Sequence, residues 1–150
     1  MSSCDPYGSH VPFLTTLGQN CRPIRSVLEL GMGRYSTPLF LDRAVFPDLQ
    51  RLVSIEDDDA WISAPADTRH LVLRLLNPVS VPDFDLVFID NGRTIEERVE
   101  AIAAVAPLAT KLVVIHDWER AEYRKAAAGL FSFTLADDAT PQTALMWRTR

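Results

Sequence analysis

Glu29-Leu30-Gly31-Met32-Gly33-Arg34-Tyr35-Ser36-Thr37 is the stretch that decides the fold, because it joins a predicted strand to a predicted helix. The strand is the apolar run at residues 27–30, and Thr37-Pro38 is a typical helix start with proline in the first turn. Glycines let a backbone approach a ligand closely, and the free N–H groups at a helix start favour a carboxylate or a phosphate. A Gly-x-Gly pair also occurs in many tight turns that bind nothing, so the loop alone leaves its ligand open.

Four further apolar runs predict strands of a parallel sheet. They occupy residues 52–55, 71–75, 86–89 and 112–115. Short continuous apolar runs that end in polar residues are typical of strands covered on both faces. The third run is accompanied by His70 and Arg74, which indicates an edge strand. Helical stretches between most of the runs indicate an α/β protein with a mostly parallel sheet.

Three helices and a terminal hairpin complete the predicted order, which begins with another helix before the first strand. The three run from Thr37 to about Phe46, from the capping box Thr94–Glu97 onward, and from a cap at Asp117 to near Gly129. Residues 130–135 and 143–147 predict an antiparallel hairpin around a turn-rich segment. Residues 77–83, between the third and fourth strands, are too few for a helix and reach at most about 25 Å when extended. We therefore expect the helix between these two strands to be missing.

Length and composition limit the class of protein. The chain has 150 residues, 47% apolar and 23% charged, which fits a single domain over residues 1–150 with an N-terminal extension at 1–23. Fifteen basic and twenty acidic residues give a net charge of −5 without a basic run, so neither nucleic acid nor a membrane surface is an expected partner. No apolar run approaches the roughly 20 residues of a membrane span. The absence of a secretory pattern and the presence of only two cysteines favour a cytoplasmic location.

Two acidic residues narrow the ligand that the glycine loop can hold. Glu29 stands two positions before Gly31, where dinucleotide-binding loops usually have an apolar residue, and Ser36 replaces their third glycine. A carboxylate at a strand end repels a pyrophosphate and suits a positively charged amine. Glu56 ends the second strand, where an acidic residue can accept hydrogen bonds from both ribose hydroxyls. The ligand then needs an amine, a carboxylate and a ribose, and S-adenosylmethionine has all three.

The sequence resembles the class I S-adenosylmethionine-dependent methyltransferases over about residues 24–148. The resemblance is carried by Glu29-x-Gly31-x-Gly33, Ser54-Ile55-Glu56-Asp57, Phe84-Asp85-Leu86-Val87-Phe88-Ile89-Asp90 and the terminal hairpin. The strand ends Phe88-Ile89-Asp90-Asn91-Gly92 and Ile115-His116-Asp117 are similar to those of a subgroup that acts on small molecules. The fold that the resemblance implies is α/β and Rossmann-like, with a mostly parallel seven-stranded sheet and a C-terminal antiparallel hairpin.

The resemblance also implies which residues hold the cofactor, and two stretches depart from the family pattern. Pro107-Leu108-Ala109-Thr110-Lys111 stands where the family usually has a glycine pair, and Arg93 stands where the subgroup often has a histidine. The residues expected at the cofactor are Gly31 and Gly33 at its methionine part, Glu29 at its ammonium group through water, Ser36 and Thr37 at its carboxylate, Glu56 at its ribose, Asp57 or Trp61 at its adenine, and Asp90 at its amine and transferred methyl group.

Polar residues at the ends of the fourth and fifth strands are the candidates for catalysis. Asp90, His116 and Asp117 lie at the carboxyl ends of predicted strands, the ligand edge of an open α/β sheet. Asp90 with His116 or Asp117 would orient or deprotonate a methyl acceptor. Plainer interpretations stay open, with His116 bonded to backbone and Asp117 as a helix cap. Asp90 and Asp117 near Asn91 would suit a hard divalent cation, but no third oxygen ligand is evident and no metal is predicted.

Two further pairs of residues bear on the substrate. Ser9-His10 is expected in a surface turn, with folding over the cofactor as the alternative. Arg93 and Arg120 are expected to be solvated, and their convergence on the site would indicate an acidic substrate.

The function that these observations favour is methyl transfer from S-adenosylmethionine to an oxygen or nitrogen of a small molecule, which is the expected partner. The alternative is a catalytically reduced methyltransferase-fold domain that serves as a binding or assembly module. A nicotinamide-dependent dehydrogenase is disfavoured by Glu29 and by the absent third glycine. Aromatic residues expected at the surface leave a homo-oligomer open.

Overall fold

The computed structural model describes residues 5–62, 66–74 and 83–148. Its helices and strands in chain order are α1 (Val11–Asn20), β1 (Ser26–Leu30), α2 (Ser36–Leu41), β2 (Arg51–Ile55), β3 (His70–Leu73), β4 (Phe84–Ile89), α3 (Ile95–Val105), β5 (Ala109–His116), α4 (Ala121–Ala127), β6 (Phe133–Ala136) and β7 (Thr143–Trp147). Among the helices in these ranges, none combines the length and the apolar character that crossing a membrane requires.

The seven strands form one sheet in the order β3-β2-β1-β4-β5-β7-β6. β1 is central and pairs in parallel with β2 and β4, while β7 is the reversed strand between β5 and β6. The predicted α/β class, the mostly parallel seven-stranded sheet and the C-terminal antiparallel hairpin are confirmed, and β3 is an edge strand as predicted. Residues 75–82, which contain most of the link where a helix is expected to be missing, lie outside the described residues.

Alternate side chains of the central strands supply two cores, one on each face of the sheet. In β4, Val87 and Ile89 face the core built with α3 and α4, while Leu86 and Phe88 face the core built with α1 and α2. All four side chains are fully buried. This period of two is what a strand requires when helices cover both of its faces. It leaves the strand ends as the place where polar side chains can gather.

The helix after the glycine loop is shorter than the sequence indicates. We predicted an end near Phe46, but α2 ends at Leu41, so that prediction is wrong. Asp42 adopts an extended backbone conformation, and its side chain accepts a hydrogen bond from the N–H of Ala44 at 2.8 Å. An aspartate that bonds to the backbone two residues ahead stabilises a turn in place of a helix.

The predicted start is right for α3 and wrong for α4. The start of α3 is confirmed, since the Thr94 side chain accepts from the N–H of Glu97. Asp117 was expected to cap α4, but the helix begins at Ala121 and its cap position is Arg120. Asp117 has a φ of 57°, in the left-handed region, so it lies in the turn that follows β5 and not at the start of the helix.

A buried carboxylate fixes the glycine loop to the sheet. Glu29, on β1, is 0% exposed and accepts hydrogen bonds from Ser36 and Thr37 of α2, at 2.6 and 2.8 Å, and from Ser54 of β2, at 2.5 Å. Burial raises the pKa of Glu29 to about 7, with a smaller contribution from the negative charge of Asp90, although the three hydroxyl hydrogen bonds oppose the rise. The side chain therefore joins two strands and a helix start at some electrostatic cost.

We expect Glu29→Gln to flatten the pH dependence of stability. The folded-state pKa of about 7 exceeds the ordinary value of 4.5, so the unfolded chain releases this proton first. The stabilisation from the protonated form is complete below pH 4.5 and is lost as the pH rises toward 7, by at most about 3 kcal/mol. Urea unfolding at pH 5 and pH 8 measures the loss of stability, which should be larger in the wild-type protein than in the variant by up to about 3 kcal/mol.

The matched control for that experiment is Glu100→Gln, which changes an exposed carboxylate on α3. Glutamine at position 29 will lower stability at both pH values, because its amide group cannot accept all three hydroxyl hydrogen bonds. The change with pH is therefore the informative quantity. An equal change with pH in the wild-type protein and in Glu29→Gln would contradict a raised pKa.

Candidate active site at the carboxyl ends of the strands

A cavity of about 660 Å³ opens at the carboxyl ends of β1, β2, β4 and β5. Polar side chains from several strand ends and both loop glycines line it together. Its wall contains these residues from the sequence analysis: Gly31, Gly33, Ser36, Glu56, Asp57, Trp61, Asp90, His116 and Asp117. Glu29 and Thr37 are not part of the wall.

The loop glycine at position 31 is required by the packing of two strand ends. Gly31 has a φ of 83°, and its N–H donates to the carbonyl of Ile55 at 2.9 Å. A Cβ atom at this position would lie 2.5 Å from the carbonyl oxygen of Asp90. Only glycine combines this conformation with so close an approach. The bare backbone of the loop consequently forms part of the cavity wall.

Glu29 does not occupy the position that we expected for it. The sequence placed its carboxylate toward a ligand ammonium group, but both of its oxygens accept hydrogen bonds from Ser36, Thr37 and Ser54. The side chain is completely buried beneath the loop. The geometry therefore corrects that expectation, since Glu29 shapes the loop from below while Glu56 alone of the two lines the cavity.

The β2 side of the cavity combines an acidic residue with aromatic rings. The carboxylate of Glu56 accepts from the N–H of Asp58 at 2.8 Å, which holds it at the start of a turn. The Trp61 ring contacts the Tyr7 ring, at 5.8 Å between centroids, and the Arg34 guanidinium lies over its face. Both rings line the cavity. This side can stack a flat ring system and accept hydrogen bonds from hydroxyls next to it.

A hydrogen-bonded chain of three side chains lies on the other side. Nδ1 of His116 is 3.1 Å from Oδ1 of Asp90, and Nε2 of His116 is 2.8 Å from the hydroxyl of Ser9. That hydroxyl also donates to the carbonyl of Pro141 at 3.2 Å. Because a hydroxyl has one proton, it accepts from the Nε2–H of His116 when it donates to Pro141. The proposed pair of Asp90 and His116 is thus in direct contact.

Arg98 is the residue that sequence reasoning missed and that organises this side. Its side chain is 7% exposed, with one guanidinium nitrogen 3.1 Å from Asp90 and another 2.7 Å from Asp117. It also donates to the carbonyl of Asn91 at 2.5 Å. The signal in the sequence is its position on α3, three residues after Ile95 and four before Ile102. These spacings place Arg98 on the apolar face of the helix, where a charge needs a buried partner.

The N-terminal pair Ser9-His10 is buried, contrary to the expected surface turn. His10 is 2% exposed, lines the cavity, and packs against the rings of Phe88 and His116 at 5.3 and 5.0 Å between centroids. Neither of its ring nitrogens has a hydrogen-bond partner among the described residues. No local pattern could have predicted this, because Ser9 and His116 are 107 positions apart in the chain.

The pKa values of the cluster follow from burial and from mutual charge. Burial lowers the pKa of His10 to about 4, against the opposing charge of Asp90. Burial also opposes charge on the other two groups, but the hydrogen bond and ion pair between them prevail, so the pKa of His116 is raised and that of Asp90 is lowered. Near neutral pH, His10 is therefore neutral and Asp90 is a carboxylate, while His116 retains a proton more readily than an ordinary histidine.

Comparison with known proteins gives a consistent result at the level of structure. No family model matches the sequence, and no curated protein matches it either. A candidate caffeoyl-CoA O-methyltransferase from Staphylococcus aureus superimposes with a TM-score of 0.66 at 14% identity, covering 92% of this chain and 83% of that one. Magnesium protoporphyrin IX methyltransferase from Synechocystis PCC 6803, with bound S-adenosylmethionine, gives 0.59 at 14% identity, covering 95% and 78%.

Proteins that catalyse different reactions share this fold. Spermidine synthase from Thermotoga maritima superimposes with a TM-score of 0.64 at 12% identity, covering 94% of this chain and 60% of that one. At sequence identities this low, structural similarity shows a shared fold and does not show a shared reaction. The sheet order, the reversed strand and these superpositions together show that the chain has the fold of the class I S-adenosylmethionine-dependent methyltransferases.

Proposed function

We propose that this protein transfers a methyl group from S-adenosylmethionine to an oxygen or nitrogen of a small molecule. One observation carries the proposal: Glu56 at the end of β2 and the pair of Asp90 and His116 at the ends of β4 and β5 line a single cavity, with the glycine loop between them. The cavity volume of about 660 Å³ lies in the usual range for small-molecule sites.

The residues of the cavity fit this cofactor. The bare backbone at Gly31 and Gly33 suits the amino-acid part, because a loop without Cβ atoms lets a ligand approach closely. The Ser36 hydroxyl lines the same side, and since its proton goes to Glu29 it would accept from the ammonium group of the ligand. Glu56 suits the ribose, and Trp61 with Asp57 suits the adenine. When bound, S-adenosylmethionine supplies a methyl group on a positively charged sulfur, which departs as a neutral thioether.

Asp90 and the groups around it would act on the acceptor. Its Oδ1 atom is bonded to His116 and Arg98, which fixes the orientation of the carboxylate and leaves Oδ2 toward His10. A fixed carboxylate can accept the proton of an acceptor O–H or N–H and align that atom with the methyl group. His10 lines this side of the cavity, and the buried Ser9 holds His116 by a hydrogen bond.

The proposal also includes what the sequence predicts for the partner, the location and the oligomeric state. The partner is a small molecule, without nucleic acid or membrane, in a cytoplasmic setting, and a homo-oligomer is left open. Arg93 lines the cavity, but Arg120 is not part of its wall. The convergence that would have indicated an acidic substrate therefore does not occur.

A second candidate function is a binding or assembly module that keeps the fold without turnover. Its specific support is that Arg98 forms ion pairs with both Asp90 and Asp117. Carboxylates that are already paired are weaker bases than free ones. Binding of the cofactor would be common to both candidates, whereas turnover would separate them.

Glu56→Ala should weaken S-adenosylmethionine binding about 10- to 100-fold, because hydrogen bonds from two ribose hydroxyls to a charged carboxylate contribute about 1.5–3 kcal/mol. Isothermal titration calorimetry measures the change, with Glu100→Ala on the exposed face of α3 as the matched control. An absence of heat from the wild-type protein would overturn the proposal. Unchanged affinity in Glu56→Ala would mean that the ribose lies elsewhere.

Asp90→Asn should reduce methyl transfer about 100-fold or more, because the amide can neither accept a proton nor keep the ion pair with Arg98. A screen of hydroxyl- and amine-bearing small molecules with radiolabelled S-adenosylmethionine identifies the acceptor and measures the rate. His70→Gln, on the edge strand β3, is the control that should retain the rate. Binding of the cofactor without transfer to any acceptor would favour the module over the enzyme.

A further inference from the structure

We propose that His10, Asp90 and His116 form a binding site for one divalent first-row transition-metal ion, for which Zn²⁺ is the probe. One side-chain atom from each of the three residues can act as a ligand, and these atoms all lie within 4.8 Å of one another. The site lies in the wall of the cavity described above. This set was not expected from the sequence, which favours a surface turn for His10.

The distances require only small side-chain movements. Nδ1 of His10 is 4.0 Å from Oδ2 of Asp90, and Nδ1 of His116 is 3.1 Å from Oδ1 of the same carboxylate. Two ligand atoms on a tetrahedral Zn²⁺ ion lie about 3.4 Å apart, given metal–ligand bonds of about 2.0–2.2 Å. One observed distance is slightly shorter than this and the other slightly longer. The two distances involve different oxygens of the carboxylate, and separations in the set of three reach up to 4.8 Å, so the side chains would have to close by at most about 1.4 Å around one ion.

The buried imidazole of His10 is the second observation that points to a ligand. Both of its ring nitrogens are buried and lack a hydrogen-bond partner among the described residues. Buried polar atoms are nearly always satisfied, because burial removes them from water without replacement. A metal ion held with Asp90 would satisfy one nitrogen directly and would explain why an imidazole, and not an apolar ring, packs against Phe88.

The ligand types select the class of metal. Two imidazoles with one carboxylate suit Zn²⁺ and similar transition-metal ions better than Mg²⁺ or Ca²⁺, which prefer oxygen ligands. This set differs from the pair of Asp90 and Asp117 considered from the sequence, because imidazole nitrogens of His10 and His116 take the place of the Asp117 carboxylate. Three protein ligands leave coordination positions open toward the cavity.

Neighbouring side chains already orient the ligands. The Ser9 hydroxyl is bonded to Nε2 of His116, which turns Nδ1 toward Asp90. Arg98 is 3.1 Å from Oδ1 of Asp90 and holds the carboxylate in place. Hydrogen bonds from outside the ligand set fix ligands in this way in known metal sites. Asp90 and Asp117 carry two negative charges against one positive charge on Arg98, so a cation that displaces the proton of His116 would meet a net negative charge.

The test titrates ZnCl₂ into chelator-treated protein without S-adenosylmethionine, by isothermal titration calorimetry. We expect one equivalent to bind to the wild-type protein, and His10→Gln and His116→Gln each to weaken binding at least 10-fold. His70→Gln is the matched control, because the chain has three histidines and His70 lies on β3 outside the set. Its affinity should equal that of the wild-type protein. No binding by the wild-type protein, or equal binding by all four proteins, would overturn the site.

A second measurement uses the unmutated protein and so does not depend on whether the variants fold. The ring resonances of the three histidines are followed by NMR during the Zn²⁺ titration. Signals of His10 and His116 should shift with one equivalent while those of His70 do not, and a shift confined to His70 would contradict the proposal. Neither experiment contains S-adenosylmethionine. An absence of Zn²⁺ binding would therefore not count against the proposed methyl transfer, which its own experiments test.

Discussion

The ion pairs of Arg98 with Asp90 and Asp117 are the interaction on which the candidate site depends. They connect α3 to the ends of β4 and β5, and the guanidinium also lies over the ring of Tyr123 at 5.2 Å from its centroid. A charge buried to this degree is costly unless nearly every donor is matched. Here two carboxylates and the carbonyl of Asn91 accept from it, so removing one partner would leave charge uncompensated. The position of both carboxylates follows from that requirement.

The parts of the fold that repeat locally could be predicted from the sequence. Apolar runs such as residues 86–89 gave the strands, since a strand covered on both faces must be apolar throughout. The start of α3 was also predictable, because the Thr94 cap uses a partner only three residues away. The end of α2 and the start of α4 were not. They depend on turns at Asp42 and Asp117, which carry the same residue type as many helix caps and are distinguished only by backbone geometry.

The candidate site shows a similar division. Residues at strand ends, such as Asp90 and His116, were predictable because parallel strands bring their carboxyl ends to one edge. Ser9 and His10 were not, because their contacts join distant parts of the chain. The position of Arg98 on the apolar face of α3 indicated that it needs a buried partner, but the sequence did not indicate that Asp90 and Asp117 are its partners.

Glu29 illustrates why residue type alone does not decide a role. A carboxylate beside a glycine loop suits either a ligand amine or the hydroxyls of the following helix, and the sequence does not distinguish the two. Burial does, because hydroxyls of Ser36 and Ser54 donate to its two oxygens, and the side chain is fully buried and is not part of the cavity wall. The acidic group that sets the shape of the loop and the acidic group that lines the cavity, Glu56, are therefore different residues. In the proposed methyltransferase, recognition of the ribose would depend on Glu56, while Glu29 would affect it only through the shape of the loop.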